Sequence, residues 1–280
     1  MKITKELLKE KGACAVGYRD FLKEYPVDKY PDGVEYQELL DCCAEKNFSY
    51  GSWLLGAFGK TDEVRKIDGD LIVERGVIFA GWLEVKGCIK AGWGIKTGLG
   101  IEAGDGIEAG DGIEAGRGIE AGGGIEAGGG IKAGWGIKAG CGINAGWGIE
   151  AGDGIEAGDG IEAGWSIKAG RGINAGNGIE AGDGIKASCG INAGNGIEAG
   201  GGINAGYGIK ASCGINAGWG IEAGWGIEAG LDIEAGDEFG IYAGLCCRIT
   251  NKTQRKIIAK KRPENIMCGE FEEKSDSEGK

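Results

Sequence analysis

Residues Gly100–Gly118 read GIEAGDGIEAGDGIEAGRG, one six-residue phrase written three times. The phrase is Ile-x-Ala-Gly-x-Gly, and its period decides the architecture. Collagen-like helices need glycine at every third position, whereas here glycine stands at the fourth and sixth of each six. An α-helix would carry two glycines per hexad, at roughly 1 kcal/mol each relative to alanine, and a spacing of six does not follow one helix face. In a strand, isoleucine and alanine two apart point the same way and the residue between them points out. The Gly-x-Gly that follows suits a corner, because glycine accepts the positive φ that a sharp bend demands. Each hexad is then one short strand and one corner, and the chain winds into a parallel β-solenoid, or β-helix.

The phase runs far beyond the quoted stretch. Leu71, Val77 and Leu83 open it, and from Ile89 to Ile233 every sixth residue is isoleucine, 25 in all. Alanine follows two positions later except at Thr97, and Val73, Phe79 and Val85 hold that position in the leading units. Burying one isoleucine and one alanine does not offset the entropy of fixing a whole hexad. Stability has to come from stacking between turns, which explains both the number of copies and their likeness. The number of hexads per turn stays open. GIKASCGINAG occurs at Gly184–Gly194 and again, four hexads on, at Gly208–Gly218, which favours four; three, a triangular turn of 18 residues, is preferred by analogy. A strand spacing of about 4.8 Å makes the strict array roughly 30 to 40 Å long.

On either side the pattern changes. Residues 1–66 read as a small α-helical N-terminal domain, with Thr4 capping a helix through Lys11, a PVDKYPDG turn, and two apolar segments in which Leu39, Leu40, Trp53, Leu54, Leu55 and Phe58 close a small core. This region is too small to be very stable alone and is expected to dock on the solenoid, residues 67–245. The register breaks after Ile233, and residues 246–269 form a basic, β-hairpin-like C-terminal cap from KIIAKK and NIMCGEF. A cap is needed because an uncovered solenoid end polymerises through its strand edges. Residues 270–280 read as a disordered acidic tail. The predicted fold class is therefore mainly β: a hexad solenoid with a helical head and a short β cap.

Composition narrows the function. No histidine occurs among 280 residues, which removes the side chain most used for acid–base work near neutral pH and the commonest metal ligand. Paired carboxylates abound, but without a cleft to raise one pKa their abundance argues against catalysis. Cys42–Cys43 and Cys246–Cys247 are adjacent pairs rather than the C-x-x-C spacing that chelates zinc, and the recurring Gly-x-Gly lacks the rest of a dinucleotide site. No catalytic residue, cofactor or metal is expected. With no leader, no apolar span and ten cysteines read as free thiols, the expected location is the cytoplasm.

Function is then written in the variable positions. Between residues 89 and 237 stand 20 acidic and 9 basic side chains. Glu102, Asp105, Glu108, Asp111 and Glu114 form the densest acidic run, repeated by Glu150, Asp153, Glu156 and Asp159. Such a rod offers an acidic surface to a protein partner, or imitates the charge of DNA toward a nucleic-acid-binding protein; the plainer reading is a solvated face. Six corners carry tryptophan, Trp93 and Trp135, Trp147, Trp165, Trp219 and Trp225, which either project as an aromatic set for a partner or fold inward as filler. The basic cluster Arg255, Lys256, Lys260, Lys261 and Arg262 reads as part of the cap ahead of direct contact with nucleic acid. The expected role is a non-catalytic binding scaffold, with a phage-type DNA mimic as the alternative.

The leading stretch DGDLIVERGVIFAGWLEVKGCIKAGWGIKTG, Asp68–Gly98, resembles the solenoids of bactofilin-type, polymer-forming proteins. The resemblance spans residues 69–245 and implies a third role, a self-assembling, homo-oligomeric filament. Left-handed hexapeptide acyltransferases place their small residue two positions before the aliphatic one and use a histidine, and this chain departs from both. The whole layout is similar to repeat proteins of gut bacteria and their phages.

Overall fold

A computed structural model describes residues 1–236, 238–245 and 255–274. Each hexad forms a short strand at Ile-x-Ala and a bend at Gly-x-Gly, and every repeat strand pairs in parallel with the one three hexads later, as Ile107 with Ile125. Three hexads therefore make a turn. The three faces, the Val64, Leu71 and Val77 sheets, are continuous and hold 12, 10 and 11 strands. They begin at Val64–Ile67, Leu71–Val73 and Val77–Phe79 respectively.

Isoleucine and alanine fill the interior, nearly all of them buried, and position two faces out. Thr97, the one buried polar residue among the described residues, donates its hydroxyl to the Leu99 carbonyl at 3.2 Å and is satisfied. The four-hexad sequence repeat is thus not the structural period. Four hexads are one turn and one further face, so each copy of that phrase lands on the next side of the prism.

The corner glycines do not serve the bend as the sequence reading supposes. Among the described residues, glycines with positive φ are Gly12, Gly33, Gly59, Gly244 and Gly269, none inside the regular array. Position four is glycine because turns approach closely there: a Cβ on Gly158 would lie 1.9 Å from the Gly140 carbonyl oxygen. Ser188 and Ser212 occupy that position, and their rung hydrogen bonds lengthen to 3.3 Å from the usual 3.0 Å. At position six there is more room, 3.3 Å from a Cβ on Gly160 to the Gly178 oxygen. Gly158→Ala is accordingly expected to cost about 1–3 kcal/mol and Gly160→Ala less than about 1 kcal/mol in denaturant unfolding; equal costs would contradict the close-approach account.

Four helices form the head: α1 Lys5–Glu10, α2 Ala15–Glu24, α3 Tyr36–Lys46 and α4 Phe48–Phe58. Thr4 caps α1 by accepting from the Leu7 amide. The head's core of Ile3, Leu8, Leu39, Leu40, Leu54 and Leu55 includes Ile78 and Ala80 of the solenoid, so the head is docked on the Val77 sheet. Trp53 and Phe58 correct the expected core. The buried face of α4 runs through Gly51, Leu54 and Leu55, which leaves Phe58 half-buried and Trp53 exposed. Gln37 on α3 closes the sheet end: its amide donates to the Ile78 carbonyl at 2.8 Å and accepts from the Ala80 amide at 3.1 Å.

Two boundaries also shift. The solenoid starts at Val64–Ile67, whose Arg65 stands at the register position of Leu83 and stacks on Phe79 at 4.7 Å. At the other end the described residues form no hairpin. Lys256–Ala259 continues the Val64 sheet, Ile266–Cys268 the Val77 sheet, and Glu270–Glu273 pairs in parallel with Lys256–Ala259. The reason lies in the side chains: Ile257 and Ala259 enter the core as a further Ile-x-Ala unit. Glu270–Glu273, read as disordered tail, is the closing strand, while 275–280 lie outside the described residues. Partial burial works to raise the Glu228 carboxyl, but hydrogen bonds from Lys210 and Lys274, each at 3.3 Å, outweigh it and hold it below the usual range. That clamp ties the closing segment to the rod. No helix among the described residues is long and apolar enough to cross a membrane.

Candidate functional site

Three hexads per turn sort the position-two side chains into three columns of different charge. On the Val77 sheet lysine and glutamate largely alternate, as Lys96, Glu114, Lys132, Glu150 and Lys168, with ion pairs of 2.7 Å at Lys96–Glu114 and 3.6 Å at Lys132–Glu150. The Val64 sheet mixes Glu84, Glu102, Glu120 and Glu156 with Lys138, Asn174, Asn192 and Lys210. The Leu71 sheet is different. Above Lys90, which pairs with Glu108 at 2.7 Å, its outward column holds glutamate or asparagine and no cation.

Within that column Glu162, Glu180 and Glu198 stand directly in register, and all are exposed. Like charges directly opposite one another destabilise a sheet. Here the backbone ladder and the isoleucine stack behind it offset the repulsion. A trench of about 850 Å³ runs along this face from Cys88 to Asn216, lined by glycine, isoleucine and the outward column from Lys90 to Asn216.

The acidic runs picked out in the sequence are not patches. Glu102 lies on the Val64 face, Glu108 on the Leu71 face and Glu114 on the Val77 face, with Asp105 and Asp111 at the edges between them. Glu150, Asp153, Glu156 and Asp159 likewise pass round the rod, and Asp153 is engaged by Arg171 Nε at 3.2 Å. Residues near in sequence are dispersed, and residues one turn apart are brought together. Glu126, Glu162, Glu180 and Glu198 are the ones a run-based reading misses.

Trp135, Trp147, Trp165, Trp219 and Trp225 all point outward, 37% to 60% exposed. Trp147, Trp165 and Trp219 share the edge between the Leu71 and Val77 sheets, where Trp147 and Trp165 stack with centroids 5.6 Å apart. Trp135 and Trp225 lie on the edge between the Val77 and Val64 sheets, Trp225 stacked on Tyr207 at 4.5 Å.

The basic cluster turns partly inward. Arg255 pairs with Glu270 and Lys256 with Glu272 on the closing strand, and Arg262 stacks on Phe271 at 5.8 Å. Lys260 donates its backbone amide to the Leu231 carbonyl, and Lys261 is exposed. Arg248 and Lys252 lie outside the described residues.

A cavity of about 530 Å³ separates α2 from α3 and α4, lined by Phe21, Tyr25, Leu39, Cys42, Cys43 and Tyr50 among others. Burial, with Cys42 beside it, pushes the Cys43 thiol up to about 12, so it carries no thiolate near neutral pH. At its mouth Lys46 pairs with Glu24 at 2.5 Å.

The fold and its surface define a class: a triangular parallel β-solenoid with a helical head and one face whose outward column, among the described residues, holds no cation above Lys90. No family model matches the chain, and no curated protein and no solved structure matches it.

Proposed function

We propose that the protein is a non-catalytic scaffold whose Leu71 face binds a basic protein partner. One observation carries this reading: among the described residues, that face alone has no lysine in its outward column above Lys90 and holds Glu162, Glu180 and Glu198 in register, whereas lysines stand among the glutamates of the other two. A partner that brings cations to the column relieves its repulsion, and such binding falls with salt. DNA mimicry is the less suited variant. Duplex DNA carries one charge per ~1.7 Å of axis, while the excess of 20 acids over 9 bases spreads over eight turns, about one per 3.5 Å at a strand spacing of ~4.8 Å.

Titration with labelled nona-lysine at several salt concentrations tests it. The native rod is expected to bind with a salt-dependent affinity, and the combined change of Glu162, Glu180 and Glu198 to glutamine should weaken it by about tenfold or more. The same change at Glu102, Glu108 and Glu114, spread over three faces, should cost far less. Equal losses in the two triple variants would sink the single-face reading.

A further inference from the structure

The edge between the Leu71 and Val77 sheets carries, on successive turns, Trp93, Asp111, Gly129 and Trp147, and then Trp165, Asp183, Gly201 and Trp219. The same four residues recur after twelve hexads, which is four turns. Trp147 has one ring face against Trp165, and Trp219 has one against Phe239 at 6.0 Å. The turn on the other side of each indole supplies only a glycine, and the turn beyond that an exposed aspartate.

Elsewhere on the rod the equivalent place is filled by the chain itself. Arg75 stacks on Trp93 at 4.9 Å and Arg117 on Trp135 at 5.0 Å, each one turn before its indole. Arg171 reaches Asp153, one turn before it, at 3.2 Å. A guanidinium one turn before an indole and one turn after an aspartate is therefore an arrangement whose two halves this molecule already makes. At Gly129 and Gly201 both halves coincide, and glycine brings no cation of its own.

From this we infer that Asp111–Trp147 and Asp183–Trp219 are a pair of equivalent sites, each taking one arginine side chain of the partner. Gly129 and Gly201 are themselves buried, so the guanidinium lies against the indole and not on the backbone. Arginine is selected over lysine because its planar, weakly hydrated guanidinium stacks on an indole and pairs with a carboxylate together, which a compact ammonium does not. The two sites are about 19 Å apart. That separation suits arginines about six residues apart in an extended segment or about thirteen apart on a helix. The edge bounds the Leu71 face across the outward column from that trench, and the inference rests on the reading of that face as the surface for a basic partner.

Nona-arginine and nona-lysine of equal charge, titrated against the full chain at one salt concentration, test it. Nona-arginine is expected to bind on the order of tenfold tighter. Trp147→Ala with Trp219→Ala should bring the two peptides to parity, while Trp135→Ala, whose indole is already covered by Arg117, should leave the preference intact. Corners accept aspartate, arginine and cysteine elsewhere, so these variants are expected to melt with the native chain. Equal affinities for the native rod, or a preference that survives the double variant, overturn the arginine sites and leave the acidic face standing. Binding of neither peptide overturns both.

Discussion

Ile161→Asp is expected to cut the rod in two. Ile161 is 1% exposed and stacks between Ile143 and Ile179 in the middle of the Leu71 sheet. A carboxylate there loses its hydration and meets only isoleucine and alanine, so the cost should exceed about 4 kcal/mol. In a solenoid each turn contacts only its neighbours, and stability is a sum over turns and their interfaces. One failed turn therefore uncouples the segments on either side. Denaturant unfolding should change from a single transition to two, with protease cleavage appearing near residue 161. Glu162→Lys, one residue away and pointing outward, should shift stability by less than about 0.5 kcal/mol. A single native-like transition for Ile161→Asp would show that the interior is not the closed apolar stack described above.

Gln37→Leu is expected to release the helical head. The Gln37 amide is a one-residue substitute for a strand, meeting one carbonyl and one amide at the end of the Val77 sheet. Leucine leaves both without partners, at about 1–3 kcal/mol each. The head, followed by its helical signal, should then be less stable than in the native chain by about 2–6 kcal/mol, and size-exclusion chromatography should show association through the freed strand edge. Gln37→Glu, which accepts from Ala80 but cannot donate to Ile78 when ionised, should fall between the two. If Gln37→Leu melts and elutes with the native chain, the head is held by its apolar contacts alone.

The solenoid was legible because its signal is repeated: the apolar spacing of six excludes a helix, and 25 isoleucines in one phase leave no ambiguity. What the sequence hid was everything that depends on the third dimension of the turn. Three hexads and four keep the same phase, so the internal duplications favour a longer turn than the one that forms, and only analogy favours the triangular turn. Once the turn is known to be three hexads, the columns Glu162, Glu180, Glu198 and Trp147, Trp165 can be read directly from the chain. The closing strands were hidden for another reason. Lys256–Ala259 contains Ile-x-Ala, but the run of lysines and arginines around it masks the apolar pattern of the Ile257 and Ala259 that enter the core. The corner glycines were explained by the wrong property, since backbone conformation is a local matter and crowding by the preceding turn is not.

The mismatch between a hexad grammar and a three-sided prism couples length to azimuth. Adding one hexad advances the chain by a third of a turn, so every side chain downstream moves to the neighbouring face while the core register is kept. Copying four hexads does the same, like a vernier that advances one mark per copy, and only three such copies restore the original bearing. Growth of this rod by duplication therefore barely disturbs its interior and scrambles its decoration, so a face such as the Leu71 column stays uniform only when insertions come in whole turns.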